Sequence, residues 1–335
     1  MEISRLQEFP HSLQKDWNDL LERSASNFPF LRFEYLANWW QTRGGGEWSL
    51  DTELAILIAR QSGQLVGIAP FFISNHQGMK RLMLLGSTEI SDFLDLIVSK
   101  ENASEFVTSI LSYFKSTLVS QSGIELVDLY NLVEGSLTIE ILRDTGVKLT
   151  EEPLQQSPVI SLPEDWEQYL NLLDKKQRHE IRRKMRRATE SDIPVGFYIT
   201  TEKAHLERDI DAFLSLMEQD PEKKSFLTDS MRTQFQLMMR TTFQSGQLQL
   251  AFLTIGGEFA AAYLNFDYLN RIWVYNSGID KRFMDYSPGW VLLGHLLQWA
   301  IEHKRGEFDF MRGNEDYKYK FGAIDRHVVR VTFPI

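Results

Sequence analysis

Residues 271–322 constrain this chain more than any other stretch. They open with a short strand, Arg271-Ile272-Trp273-Val274-Tyr275, and a turn, Tyr286-Ser287-Pro288-Gly289. Leu292, Leu293, Leu296, Leu297, Ala300 and Ile301 then fall on one face at helical spacing. Ser287 is expected to N-cap this helix, with Pro288 at its first position, where a missing N–H costs nothing. Gly306 is expected to stop it, after His303, Lys304 and Arg305. Glu307-Phe308-Asp309-Phe310-Met311 reads as a second short strand, followed by Arg312-Gly313 and Tyr317-Lys318-Tyr319-Lys320-Phe321-Gly322. A strand that feeds a helix N-terminus is an anion-binding arrangement, because free amides and the positive end of the helix dipole face the ligand. This order of parts points to transfer chemistry on a phosphate-bearing donor.

A chain of 335 residues suits two domains better than one core. The boundary is expected near residue 155, giving domains 1–155 and 156–335, because Pro153, Pro158 and Pro163 punctuate a connector there. Residues 1–45 read as mostly helical. Residues 54–59 and 65–73 read as two strands of a hairpin, 82–85, 93–98 and 124–129 as further strands, and 101–118 as a helix. In the second half, 248–255 and 259–266 flank Gly256-Gly257 as another hairpin. Leu54-Ala55-Ile56-Leu57 parallels Leu250-Ala251-Phe252-Leu253, and Leu65-Val66-Gly67-Ile68-Ala69 parallels Phe259-Ala260-Ala261-Ala262-Tyr263. A strand–turn–strand unit that recurs in this way suggests two copies of one fold.

Cysteine is absent, which excludes disulfides, thiolate nucleophiles and cysteine-ligated metals. The seven histidines show no metal spacing such as H-E-x-x-H, so no metal is expected. There is also no G-x-S-x-G elbow, P-loop or G-x-G-x-x-G. Met1-Glu2-Ile3-Ser4-Arg5 carries no leader pattern and no window approaches the roughly 18 apolar residues of a membrane span, so a cytoplasmic location is expected.

The net charge of −10 is unevenly distributed. Residues 175–187 hold eight Lys/Arg against one Glu, a local +7 that leaves −17 elsewhere. General nucleic-acid binding is therefore disfavoured, while one local anion site remains open. Leu170, Leu173, Ile181, Met185 and Ala188 form an apolar stripe at helical spacing, interrupted at Gln177. The basic residues are then either a solvated face or an anion site. Like charges at Arg178, Arg182 and Arg186 repel one another, which fits an anionic ligand or an acidic neighbouring surface.

Taken together, these residues resemble a known family. The relevant pieces are Phe30-Leu31-Arg32-Phe33-Glu34-Tyr35-Leu36 with Trp39-Trp40, Gly67-Ile68-Ala69-Pro70-Phe71, and Ser91-Asp92-Phe93-Leu94-Asp95. They continue with Lys175-Lys176-Gln177-Arg178-His179-Glu180-Ile181-Arg182-Arg183, Tyr275-Asn276-Ser277-Gly278-Ile279-Asp280, Ser287-Pro288-Gly289, Phe308-Asp309-Phe310-Met311-Arg312-Gly313 and Tyr317-Lys318. Their order resembles GNAT-superfamily acetyltransferase-like proteins of the CelD type, linked to cellulose and exopolysaccharide synthesis and related to the Fem peptidoglycan aminoacyltransferases. The resemblance implies an α/β fold of two tandem GNAT-like domains, each a twisted mixed sheet flanked by helices.

It further implies N-acyl transfer from an acyl-CoA such as acetyl-CoA to an amine of a sugar, peptide or polysaccharide precursor. Ser287, Pro288, Gly289 and Trp290 are then expected to hold the donor, with Gly289 admitting its close approach. Lys318 is the candidate for charge stabilisation, and Tyr275 and Tyr317 are candidate acid or hydrogen-bonding groups. Arg178, Arg182 and Arg312 are candidates for binding an anionic substrate. The Fem relatives carry a related basic helix and a late aromatic–Lys motif, matched here by Arg178, Ile181, Arg182 and Lys318. The full phosphate loop of simple coenzyme A-dependent acetyltransferases is missing. Two other readings stay open: transfer from an aminoacyl-tRNA, and a non-catalytic GNAT-like module in polysaccharide assembly.

Overall fold

The computed structural model describes every residue except Ser49, Leu50, Gln77 and Ser87. The chain divides into two compact units, residues 1–156 with 326–335, and residues 157–325.

In the first unit the strands are β1 (Glu2–Leu6), β2 (Thr52–Leu54), β3 (Ile56–Gln61), β4 (Gln64–Ala69), β5 (Phe71–His76), β6 (Met79–Leu84), β7 (Ile97–Val98), β8 (Leu126–Val133) and β9 (Thr150–Gln156). The second unit contributes β10 (Val159–Ser161), β11 (Val195–Ile199), β12 (Leu248–Ile255), β13 (Glu258–Tyr268), β14 (Arg271–Ile279) and β15 (Glu307–Asp309). The last strand, β16 (His327–Pro334), returns to the first unit. Three sheets result, ordered β1-β3-β4-β7, β2-β5-β6-β8-β16-β9 and β10-β15-β14-β13-β12-β11.

Both units share a run of parts, with β7 and the split into two sheets found in the first unit alone. In each, a hairpin turns on two positive-φ residues: Ser62-Gly63 between β3 and β4, and Gly256-Gly257 between β12 and β13. Positive φ at both turn positions matches the right-handed twist of the flanking strands. The next strand adds antiparallel, β6 on β5 and β14 on β13. A helical crossover then leads to a parallel neighbour, β8 on β6 and β15 on β14. In the first unit that crossover is the helix Ala103–Tyr113 with its continuation to Ser122, and in the second it is the helix Pro288–Glu302. The chain therefore has a mixed α/β architecture of tandem GNAT-like halves.

Three sequence expectations change. Residues 65–73 are two strands, because Pro70 lacks an N–H and ends the ladder of β4. Its partner strand breaks at the same level, at Ala55, so the hairpin bends from one sheet into the next. Residues 2–6 are a strand on β3 and not part of a helix. Residues 326–335 leave the second half and join the first unit. Here β16 lies between β8 and β9, and its buried Val328, Val329, Val331 and Phe333 are what seat it there. Pro153 is tolerated inside β9 because β9 is an edge strand.

In the second unit, the helices Lys175–Thr189 and Pro288–Glu302 pack on one face of the sheet. The helices Leu206–Met217 and Asp229–Gln244 contact strands β12, β13 and β14. The apolar stripe read across residues 170–188 spans two helices. The chain breaks at Leu173, and Asp174 caps the second helix by accepting the Gln177 N–H at 3.0 Å. Gly294 allows the two helices to meet, since a Cβ there would lie 2.8 Å from Met185 Sδ.

Val331 is fully buried in the middle of the first unit's sheet. Val331→Asp is expected to cost at least about 3 kcal/mol. Urea denaturation should show the loss. Wild-type stability in this variant would mean that β16 is not integral to the unit.

Candidate active site

The site starts from a parting of strands. β14 and β15 pair in parallel only through Arg271–Glu307, Ile272–Phe308 and Trp273–Asp309. Beyond that point β14 runs on to Ile279, whereas β15 ends. A bulge lies at the parting: Asn265 faces Val274 and Leu264 faces Asn276, so Tyr275 is the extra residue. The remaining carbonyls on these strand ends need donors from elsewhere.

Lys318 supplies them on the β15 side. Its ammonium is buried and donates to Phe310 O at 3.2 Å, Arg312 O at 3.0 Å and Gly313 O at 2.9 Å, with Glu315 Oε2 at 2.9 Å. The chain reaches this geometry through two positive-φ residues, Met311 at 54° and Gly313 at 109°. The buried Asp309 accepts the Met311 N–H at 2.8 Å. Lys318 is thus a clamp on the turn, its ammonium enclosed by three backbone carbonyls and the Glu315 carboxylate.

Beside the clamp, the Tyr317 hydroxyl is hydrogen-bonded to that of Tyr263, which faces Ser277 across the β13–β14 ladder. Burial, then the neighbouring Tyr263 and Glu315, push Tyr317 well above the usual tyrosine range, so it stays protonated. On the β14 side, Lys223 Nζ donates to Ser277 O at 2.5 Å. Burial pushes this lysine below its usual range, against the raising effects of Asp220 and Glu315.

A cleft of about 1090 Å³ opens along the basic helix. Its wall includes Arg182, Arg183, Lys184, Arg186, Trp290 and Lys320. The Lys184 ammonium sits 4.0 Å from the centre of the Trp290 ring, and Trp290 packs on Phe321 with ring centroids 4.9 Å apart. A second cavity of about 490 Å³ shares Arg183 and Arg186 and reaches Tyr286. The cationic side chains therefore gather near the start of the helix Pro288–Glu302.

The expected donor residues are placed differently from their sequence reading. Ser287 makes no side-chain cap and holds φ 52°, and its carbonyl accepts the Trp290 and Val291 N–H groups. The Ser287 N–H goes to Met284 O, and Pro288 has none. Among the described residues only the Gly289 amide of the first turn lacks such a partner, so the turn offers little to a pyrophosphate. A Cβ at Gly289 would lie 2.8 Å from Ile279 Cδ1, so its bareness makes room for the Ile279 side chain of β14. Pro288 is buried. Trp290 alone of the four lines the cleft. The helix ends at Glu302, with Lys304 rather than Gly306 taking the left-handed conformation at φ 58°.

The other expected residues divide. Tyr317 and Lys318 meet at the parting. Tyr275 does not join them, since its ring packs between Phe235 and Phe266, with centroids 5.6 and 5.3 Å away. Arg312 is half-buried and lends its carbonyl to the clamp. Arg182 borders the cleft and pairs with Glu167. Arg178 bonds Asn171 Oδ1 at 3.2 Å. The like-charge stripe is relieved by acids: Glu180 pairs with Arg183 and Lys184, and Glu190 with Arg186. Lys223 and Lys320 were not singled out from the sequence, where an isolated lysine carries no signal. His295 stacks on Phe197 at 5.2 Å, and its burial depresses its pKa.

Residues 175–319 match the family model of the acetyltransferase (GNAT) domain. That segment contains the basic helix, the parting strands and the clamp. By fold the whole chain is similar to FemX, with 11% identity, 100% of this chain and 98% of that chain covered, and a TM-score of 0.70. A conserved protein of unknown function from Bacteroides thetaiotaomicron VPI-5482 is similar at 10% identity, with both chains covered to 100% and a TM-score of 0.64. A tandem GNAT protein from the clavulanic acid biosynthesis pathway is similar at 12% identity, 99% and 98% coverage, and a TM-score of 0.50. At these identities the likeness is one of fold. No curated protein matches the chain. Among the described residues no helix is long and apolar enough to cross a membrane, and no acidic or histidine cluster suits a metal.

Replacing Lys318 by Met removes the donor to three carbonyls. The variant is expected to lose about 3 kcal/mol of stability in urea denaturation. A catalytic lysine with no clamping role would instead leave stability unchanged.

Proposed function

We propose that the second unit is an N-acyltransferase that moves an acyl group from an acyl-CoA to a primary amine. The observation that carries this reading is that the parting of β14 and β15 and, Lys320 apart, the cationic cleft both fall inside the segment similar to the GNAT domain. The residues present fit a phosphate-bearing donor through side chains. Arg183, Lys184, Arg186 and Lys320 would neutralise its phosphates, and Trp290 offers an aromatic wall. The bound donor supplies an activated thioester carbonyl. The amine nitrogen bonds to that carbon as the carbon–sulfur bond breaks, and the thiol leaves with the proton that the amine gives up.

Tyr317 is the proposed hydrogen-bond donor at the reacting atoms, since burial keeps it protonated and it borders the parting. Lys318 acts by holding the turn in place. The acceptor is proposed as an amine of a sugar, a peptide or a polysaccharide precursor, met in the cytoplasm. A second reading, transfer from an aminoacyl-tRNA, is favoured by one observation: the helix with a local charge of +7 lines the cleft.

A thermal shift with acetyl-CoA and, separately, with uncharged tRNA tests these readings. A ligand at about a hundredfold its Kd adds about 2.7 kcal/mol of stability. Acetyl-CoA is expected to stabilise the protein, less so as salt rises. The double variant Arg183→Gln with Arg186→Gln should weaken acetyl-CoA binding by about tenfold or more, while Arg178→Gln should leave it unchanged. Stabilisation by tRNA alone would replace the reading with the aminoacyl-tRNA one. No response to either would favour a non-catalytic module. Tyr317→Phe is expected to lower kcat by about tenfold to a thousandfold with little change in acetyl-CoA affinity.

A further inference from the structure

The two lysines at the strand parting are not equivalent. Lys318 has spent its hydrogens on three carbonyls and a carboxylate. Lys223 has one close acceptor, Ser277 O at 2.5 Å, and a remote one, Ser277 Oγ at 3.5 Å. Among the described residues no carboxylate lies within ion-pair distance of it: Asp220 and Glu315 act on it only through space. Asp220 is committed elsewhere, its Oδ1 accepting the Glu222 and Lys223 backbone N–H groups at 2.9 and 3.2 Å. A mostly buried ammonium without a counter-charge is costly unless something supplies one.

The space to receive that counter-charge is present. Lys223 lines a cavity of about 370 Å³ whose walls include Leu216, Gly278, Ile279 and Met284, with a second cation, Lys281, and with Gln219 and Asp220 among its lining residues. The wall formed by Ser277, Gly278 and Ile279 belongs to the part of β14 that has lost β15 as a neighbour. Gly278 is required there, because a Cβ would lie 2.5 Å from the Leu216 carbonyl carbon. The helix carrying Leu216 thus presses directly on β14 and forms the side of the cavity. An apolar cavity with one buried cation selects an anion with an apolar body. A carboxylate fits better than a phosphate, which needs several convergent donors.

We infer that this cavity binds the carboxylate of the acceptor, and that Lys223 is its anchor. The acceptor class is then an amine that also carries a carboxylate on a short apolar frame, such as an amino acid or the end of a peptide. This inference rests on the acyltransferase reading for the word acceptor, but the binding site itself does not.

Isothermal titration of the full chain with hexanoate and with hexanamide tests it. Hexanoate is expected to bind the wild-type protein at least about tenfold more tightly than the neutral amide. Lys223→Met should abolish that preference, and Lys223→Arg should keep it. Should Lys223→Met fail to fold, Met284→Glu decides: residue 284 is exposed, and a carboxylate tethered at the cavity wall should weaken hexanoate binding. Equal binding of the two probes, no binding of either, or an unchanged preference in Lys223→Met or unweakened binding in Met284→Glu would overturn the proposal. The titration needs no acyl-CoA. Hexanoate binding without any response to acetyl-CoA would sink the transfer reading and leave the cavity assignment standing. The reverse pattern would overturn the cavity assignment alone.

Discussion

The second unit depends on one unfavourable arrangement being made tolerable. Two parallel strands part in the middle of a sheet, and backbone carbonyls that would normally pair are left facing a gap. Leaving such groups unpaired away from water costs as much as a lost hydrogen bond each. The Lys318 ammonium meets three of them at once. Its charge is in turn balanced by Glu315, three residues earlier on the chain. The gap stays open because both of its edges are satisfied by side chains. Lys223 does for Ser277 on β14 what Lys318 does for the turn after β15.

This arrangement explains why cationic residues at the site take different roles. Lys318 is enclosed and saturated, so its value lies in geometry. Arg183, Lys184 and Arg186 lie on a helix whose buried side, Ile181 and Ala188, holds it against the core. Their charges are only partly offset by Glu180 and Glu190, so they keep a field for an anion. Tyr317 stays protonated. Its burial disfavours the charged phenolate, and the neighbouring Tyr263 and Glu315 add to that effect.

Much of the architecture was legible in the chain. Both glycine-bearing turns, the helix Pro288–Glu302 and the basic helix follow from local rules of turn conformation and apolar spacing, which act over a few residues and leave a visible pattern. The parts that misled were those in which a local rule met a tertiary demand. Ser287 looked like a side-chain cap, yet the turn takes it to φ 52° and satisfies the amides with its carbonyl. Gly289 looked like room for a ligand, yet the room is filled by Ile279. The C-terminal strand reads as the continuation of the second half, but its hydrophobic face completes the first unit's sheet.

By itself, then, the sequence determined the two glycine-bearing hairpin turns, the helix Pro288–Glu302, the absence of thiol chemistry and the presence of one concentrated positive helix. These are properties of composition and short-range spacing. Only the tertiary structure decided which lysine is a clamp and which has no carboxylate beside it, and that the Tyr317 hydroxyl reaches Tyr263 while the Tyr275 ring packs between Phe235 and Phe266. It alone showed that the basic side chains line the cleft while most amides of the first helical turn have partners within the chain. Those outcomes depend on burial and on partners distant along the chain, such as Lys223 with Ser277 or Tyr317 with Tyr263. A residue's letter records what it can donate or accept, while its surroundings determine what remains to be satisfied.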